Sequence, residues 1–95
     1  MKKRTFAVYS TVSEHNFSGL SQTKMTYLTT IPNVLPTVKE IRSLVSSFFP
    51  EYEIEETWAT LAEQIRSNLD IGMISVSFKT NDEFITHGCT LEEVF

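Results

Sequence analysis

The sequence predicts an α+β fold: a four-stranded, mainly antiparallel sheet with two helices packed on one face. Three observations predict it. Two runs of apolar residues at helical spacing stand side by side in the middle of the chain, between Pro36 and Asp70. Alternating stretches precede them, from Thr5 to Ile31, and follow them, from Gly72 to Cys89. Two hairpins around a helical pair most simply give one sheet with the pair laid against it. The 95 residues are 41% hydrophobic and 12% aromatic, enough for one small core, so a single domain over 1–95 is expected.

Thr5 to Val12 alternates, with Phe6, Val8 and Val12 on one side and Ala7, Tyr9 and Thr11 on the other, the period of a strand. Ser13 to Gln22 is polar apart from Phe17 and Leu20 and reads as a loop longer than a tight hairpin needs. Thr23 to Ile31 reads as a second strand, with Met25, Tyr27 and Ile31 facing opposite to Leu28. Pro32 and Asn33 are expected to turn the chain toward the first helix.

That helix starts at Thr37, whose spacing to Glu40 is that of a capping box. Val38, Ile41, Leu44, Val45 and Phe48 form its apolar face, and Pro50 ends it by pushing Phe49 out of the helical region. In the second helix Trp58, Leu61, Ala62, Ile65 and Leu69 share a face, and Asn68, Asp70 and Gly72 mark its end. Between the helices lies Glu51-Tyr52-Glu53-Ile54-Glu55-Glu56. Tyr52 and Ile54 alternate with acids, as in a short extra strand near 51–55. Ile54, Trp58, Leu61 and Ile65 also make a helical row, so an earlier helix start stands beside the strand reading.

In Gly72 to Thr80, Ile74, Val76 and Phe78 face the core, and Ser75, Ser77 and Lys79 face water. Asn81-Asp82 signals a turn, and Glu83 to Cys89 returns as a fourth strand. Thr90 and Glu93 repeat the capping-box spacing, which predicts a final helical turn over Leu91 to Phe95, docked through Leu91 or Phe95.

Several chemistries find no support in the residue pattern. Gly19, Gly72 and Gly88 are too scattered for a phosphate-cradling loop, and HExxH, CxxC and GxSxG are absent. His87 and Cys89 share a strand face, the spacing at which an imidazole lowers a thiol pKa, but no third group orients the histidine. A metal site from His15, His87 and Cys89 would need the long loop to meet the fourth strand. No catalytic residue, metal or cofactor is therefore assigned, and the chain is expected not to be an enzyme. Lys2, Lys3, Arg4 and Lys24 with Tyr9 and Tyr27 suggest a weak nucleic-acid patch, opposed by the net charge of −4. No apolar run is long enough to cross a membrane, Thr5 to Glu14 is too polar for a signal peptide, and Cys89 is the lone cysteine. Those features suggest a cytoplasmic protein.

The charge distribution is more informative than its total. Residues 1–45 hold six bases and two acids; residues 46–95 hold two bases and ten acids. On a strand, Glu51, Glu53 and Glu55 would project on one side about 6.6 Å apart. Such a row imitates a phosphate backbone, the device used as a class by small phage-encoded inhibitors of host restriction and CRISPR systems. The expectation is a non-enzymatic protein-interaction module whose partner-binding residues are Glu51, Glu53, Glu55 and Glu56, with Phe17 as an apolar anchor. Its partner would be a protein, a nucleic-acid-binding one in the inhibitor reading. The alternatives are a structural homo-oligomer, such as a homodimer, in which the oppositely charged halves meet or an open sheet edge pairs across a two-fold axis, and a small Cys/His enzyme.

Overall fold

The computed structural model describes residues 2–16, 18, 19, 21–68 and 72–95. The elements run β1 (Arg4–His15), β2 (Ser21–Val34), α1 (Val38–Phe48), α2 (Trp58–Asn68), β3 (Met73–Ser77) and β4 (Ile85–Glu93). The strands form one antiparallel sheet in the order β2-β1-β4-β3. The expected β-β-α-α-β-β arrangement is what the chain adopts.

The core lies between the helices and one sheet face. Phe6 and Val8 of β1, Ile74 and Val76 of β3, and Cys89 and Leu91 of β4 meet Ile41 and Val45 of α1 and Leu61 and Ile65 of α2. Val38, Leu44 and Phe48 pack around the margin, so the apolar face read for α1 is the face it buries. Thr37 caps α1 by accepting from the Glu40 amide at 3.2 Å. The reciprocal half of the expected box is replaced: the Thr37 amide donates to the Leu35 carbonyl at 2.8 Å. Gly88 lets β4 approach its neighbours closely, since a Cβ there would lie 2.7 Å from both the Thr11 hydroxyl and the Val76 carbonyl oxygen.

The region between the helices resolves toward the strand reading. Ile54 forms an antiparallel bridge with Phe78, Glu55 N donates to Ser77 O at 2.9 Å, and Lys79 N donates to Glu53 O at 2.8 Å. These bonds hold 53–55 extended, and α2 begins only after Thr57, whose hydroxyl accepts from the Thr60 amide. The earlier helix start is therefore not adopted.

Other expectations are corrected. The strands of the first hairpin continue to His15 and resume at Ser21, so the loop is shorter than the span from Ser13 to Gln22. Cross-strand pairing, including Ser13 with Thr23 (hydroxyls 2.9 Å apart), extends the ladder into that polar stretch. Phe17, Leu20, Leu69 and Asp70 lie outside the described residues. Pro32 and Asn33 do not end β2 but form an irregularity within it, where the register shifts and Asn33 takes φ 60°. A second shift at Leu28 reverses the alternation, so Met25 and Tyr27 pair with Thr11 and Tyr9 on the helix-free face while Ile31 pairs with Phe6 on the core face.

Trp58, placed by its spacing on the buried face of α2, is 57% exposed. Ile54, carried in on the extended segment, supplies the buried side chain at this point, and the indole sits beside the Arg42 guanidinium, 5.7 Å from its centroid. The final helical turn is also absent. Residues up to Glu93 belong to β4, which lies between β1 and β3 and pairs with both, and this two-sided ladder overrides the local cap signal. Leu91 docks as a core strand residue, while Phe95 is exposed.

Candidate functional site

The two outer strands of the sheet have different fates, and that difference defines the candidate site. β3 is sealed. Its outward amide at Ser75 donates to Gln64 Oε1, and Gln64 Nε2 donates back to the Ser75 carbonyl at 2.8 Å. Two residues on, the Ser77 amide donates to both carboxylate oxygens of Glu56, at 2.9 and 3.0 Å, and the Ser77 carbonyl accepts from the Glu55 amide. A primary amide is suited to the first position because it offers one donor and one acceptor to a strand edge, as another strand would.

β2 is open. Every residue from Ser21 to Leu28 is exposed, and among the described residues β2 makes no backbone hydrogen bond apart from its ladder with β1. Its sequence from Ser21 to Val34 carries a single charge, Lys24. Met25 and Tyr27 stand on the helix-free face, 45% and 56% exposed, with Tyr27 edge-on to Tyr9 at 5.7 Å between centroids. A long strand with unmet amides and carbonyls is a template for pairing with another chain.

The sequence-predicted residues divide. Glu51, Glu53 and Glu55 are exposed and border a shallow depression with Tyr52, Lys79, Thr80 and Asn81. Glu53 forms an ion pair with Lys79 at 3.0 Å, which offsets part of the row's negative charge. Glu56 is half-buried and occupied by the Ser77 amide, so the fold already uses it. The structure describes nothing at Phe17. Tyr52 stacks on Phe78 and on His87, at 5.0 and 5.6 Å between centroids, and fixes one wall of the acidic depression.

The residues of the weak nucleic-acid patch fall apart. Arg4 is bonded to Glu93 at 2.7 Å, and Lys24 lies on the helix side of the sheet while Tyr9 and Tyr27 lie on the other. Cys89 is fully buried, and burial pushes its thiol from the ordinary 9.0 up to about 12. That shift runs opposite to what a thiolate nucleophile needs. Because the folded-state value is raised, the neutral thiol is favoured by folding. Stability is unaffected below about pH 9 and falls as pH rises toward 12, where the unfolded chain has released a proton that the folded chain retains. Ellman's reagent at pH 8 is therefore expected to label Cys89 only after denaturant is added. Prompt labelling of the folded protein would contradict this burial.

Sequence reading missed Gln64 and the openness of β2. Gln64 carried no signal, because its role depends on α2 passing beside β3. β2 did carry one: a proline inside a strand belongs at a sheet edge, since it has no amide for the ladder, and Pro32 lies within this strand. Among the described residues, no helix is long and apolar enough to cross a membrane. No protein-family model, curated protein or solved structure matches this chain.

Proposed function

We propose that this chain is a non-enzymatic protein-interaction module that engages its partner through the open edge of β2. The observation that carries the reading is the asymmetry of the sheet: one outer strand is closed by Gln64 and Glu56, and the other is exposed from Ser21 to Leu28 with its outer edge unpaired. Strand addition supplies affinity through main-chain hydrogen bonds and specificity through alternate side chains. Here those side chains are Met25 and Tyr27 on one face and Lys24 and Thr26 on the other. A cytoplasmic setting suits the reading, because the only cysteine is a core thiol. The test is Met25→Pro, which removes an outward-facing amide, beside Thr26→Lys in a folded protein. Loss of partner binding in either supports the edge, and full retention in both removes it.

A second reading rests on Glu51, Glu53 and Glu55, which the fold leaves at the surface around one depression. In it the module inhibits a nucleic-acid-binding protein by imitating a phosphate backbone, as a phage or mobile-element inhibitor would. Glu56 is excluded from this surface by its bond to Ser77. Reversal of the three remaining glutamates to lysine is expected to abolish capture of such a partner while leaving thermal stability nearly unchanged, since these carboxylates are exposed. Unchanged capture would eliminate this reading and leave the β2 reading intact.

A further inference from the structure

We infer that the occupant of the open β2 edge is a second copy of this chain, paired antiparallel across a two-fold axis at Met25. The inference rests on the interaction reading of β2 and names its partner.

A chain with two open edges extends into a filament, whereas a chain with one open and one sealed edge pairs once and stops. Ser75 and Ser77 of β3 have their outward groups met within the chain, which leaves β2. Charge favours the same pairing. β2 carries one lysine and no acid, while ten of the chain's twelve acids follow residue 45. The sheet order puts β2 at one edge and the acidic segment 51–56 beyond β3 at the other. Copies that meet at β2 hold their acidic segments at the far ends of the joined sheet.

The register follows from three constraints. A two-fold axis perpendicular to the sheet keeps like faces together, so residues opposite each other must lie on the same face. The β2 alternation is regular only from Ser21 to Tyr27, because the register shifts at Leu28. Centring the axis on Lys24 would use all of that stretch but oppose Lys24 to itself, and directly opposed like charges destabilise. Centring it on Met25 keeps the run from Thr23 to Tyr27 and avoids that opposition. Met25 then meets Met25 of the second copy, Thr23 meets Tyr27, and Lys24 meets Thr26. The exposed Met25 and Tyr27 of both copies join into one apolar strip with Tyr9 on the helix-free face.

The register makes opposite charges at one position act in opposite directions. In Thr26→Lys each new lysine faces the second copy's Lys24, and dimer affinity is expected to fall about tenfold. In Thr26→Glu each carboxylate faces that same lysine, and affinity is expected to rise by a similar factor, with the gain lost at high salt. Met25→Cys, on the axis, cross-links to itself on oxidation. Thr23→Cys does not, since the two copies of that residue stand about 13 Å apart along the strand.

The experiment is sedimentation equilibrium of wild type, Thr26→Lys and Thr26→Glu, with oxidation of the two cysteine variants read on a non-reducing gel. A wild-type dimer weakened by lysine, strengthened by glutamate and cross-linked only at Met25→Cys is the expected result. A wild type that stays monomeric at the highest concentration reached overturns the inference, as does a dimer that both charges affect alike. If the monomeric wild type still loses a captured protein on Thr26→Lys, only the second-copy inference falls. If that capture is unchanged, the edge reading falls with it.

Discussion

Phe78→Ala is expected to lower the unfolding free energy by about 3–5 kcal/mol, the largest effect of any single substitution considered. Phe78 is 1% exposed and lies against Phe49 and Tyr52, at 5.1 and 5.0 Å between centroids. Its backbone is the bridge partner of Ile54, so it anchors the segment 51–56 as well as the end of β3. Removing the ring leaves a cavity and deprives Tyr52 of its support. A domain of this size holds only a modest surplus of stability, and a loss of that magnitude leaves much of the population unfolded at physiological temperature. Urea denaturation followed by Trp58 fluorescence checks it. Phe78→Leu should cost much less, because most of the volume stays. A Phe78→Ala midpoint close to wild type would mean that the aromatic cluster does not hold this part of the fold together.

The second large effect concerns the sealed edge. Glu56→Ala removes a charged acceptor from the Ser77 amide, and a hydrogen bond to a charged group contributes about 1.5–3 kcal/mol. Glu56 is only half-buried, so water recovers part of that, and about 1–2 kcal/mol is expected. The double variant with Gln64→Ala has a larger consequence for assembly than for stability. It frees both main-chain groups of Ser75 and the Ser77 amide, with only the Ser77 carbonyl still held by Glu55, so the sheet gains a second exposed edge. Pairing then no longer closes, and species larger than a dimer should grow with concentration. Light scattering of the double variant beside wild type measures this. A double variant that remains the same size as wild type at all concentrations would show that the Gln64 and Glu56 bonds do not guard the edge.

Much of this fold was legible because local and tertiary preferences agree. The alternation of Ile74, Val76 and Phe78 and the stripe from Val38 to Phe48 each had one burial solution, and the chain takes it. The failures occur where a neighbour outweighs a local signal. Thr90 and Glu93 have the spacing of a cap, but β1 and β3 offer that segment ladders on both sides. Trp58 has core spacing, but Ile54 takes the buried place. Leu28 shifts the β2 register, and no composition rule places such a shift. The candidate site was legible only in part. Glu51, Glu53 and Glu55 are at the surface as the alternation implied, whereas Glu56 is taken up by Ser77, a residue 21 positions away whose proximity only the fold reveals. Strand order likewise decided which edge is open, and periodicity does not encode strand order.

The central claim is that β3 is sealed within the chain and β2 is sealed only by another chain. Amide hydrogen exchange followed by NMR across a dilution series tests it most directly. Slow exchange is expected at the Ser75 and Ser77 amides at every concentration. Fast exchange is expected at alternate amides between Ser21 and Tyr27 in dilute solution, slowing as concentration rises. Fast exchange at Ser75 and Ser77, or β2 amides equally protected at all dilutions, would contradict it.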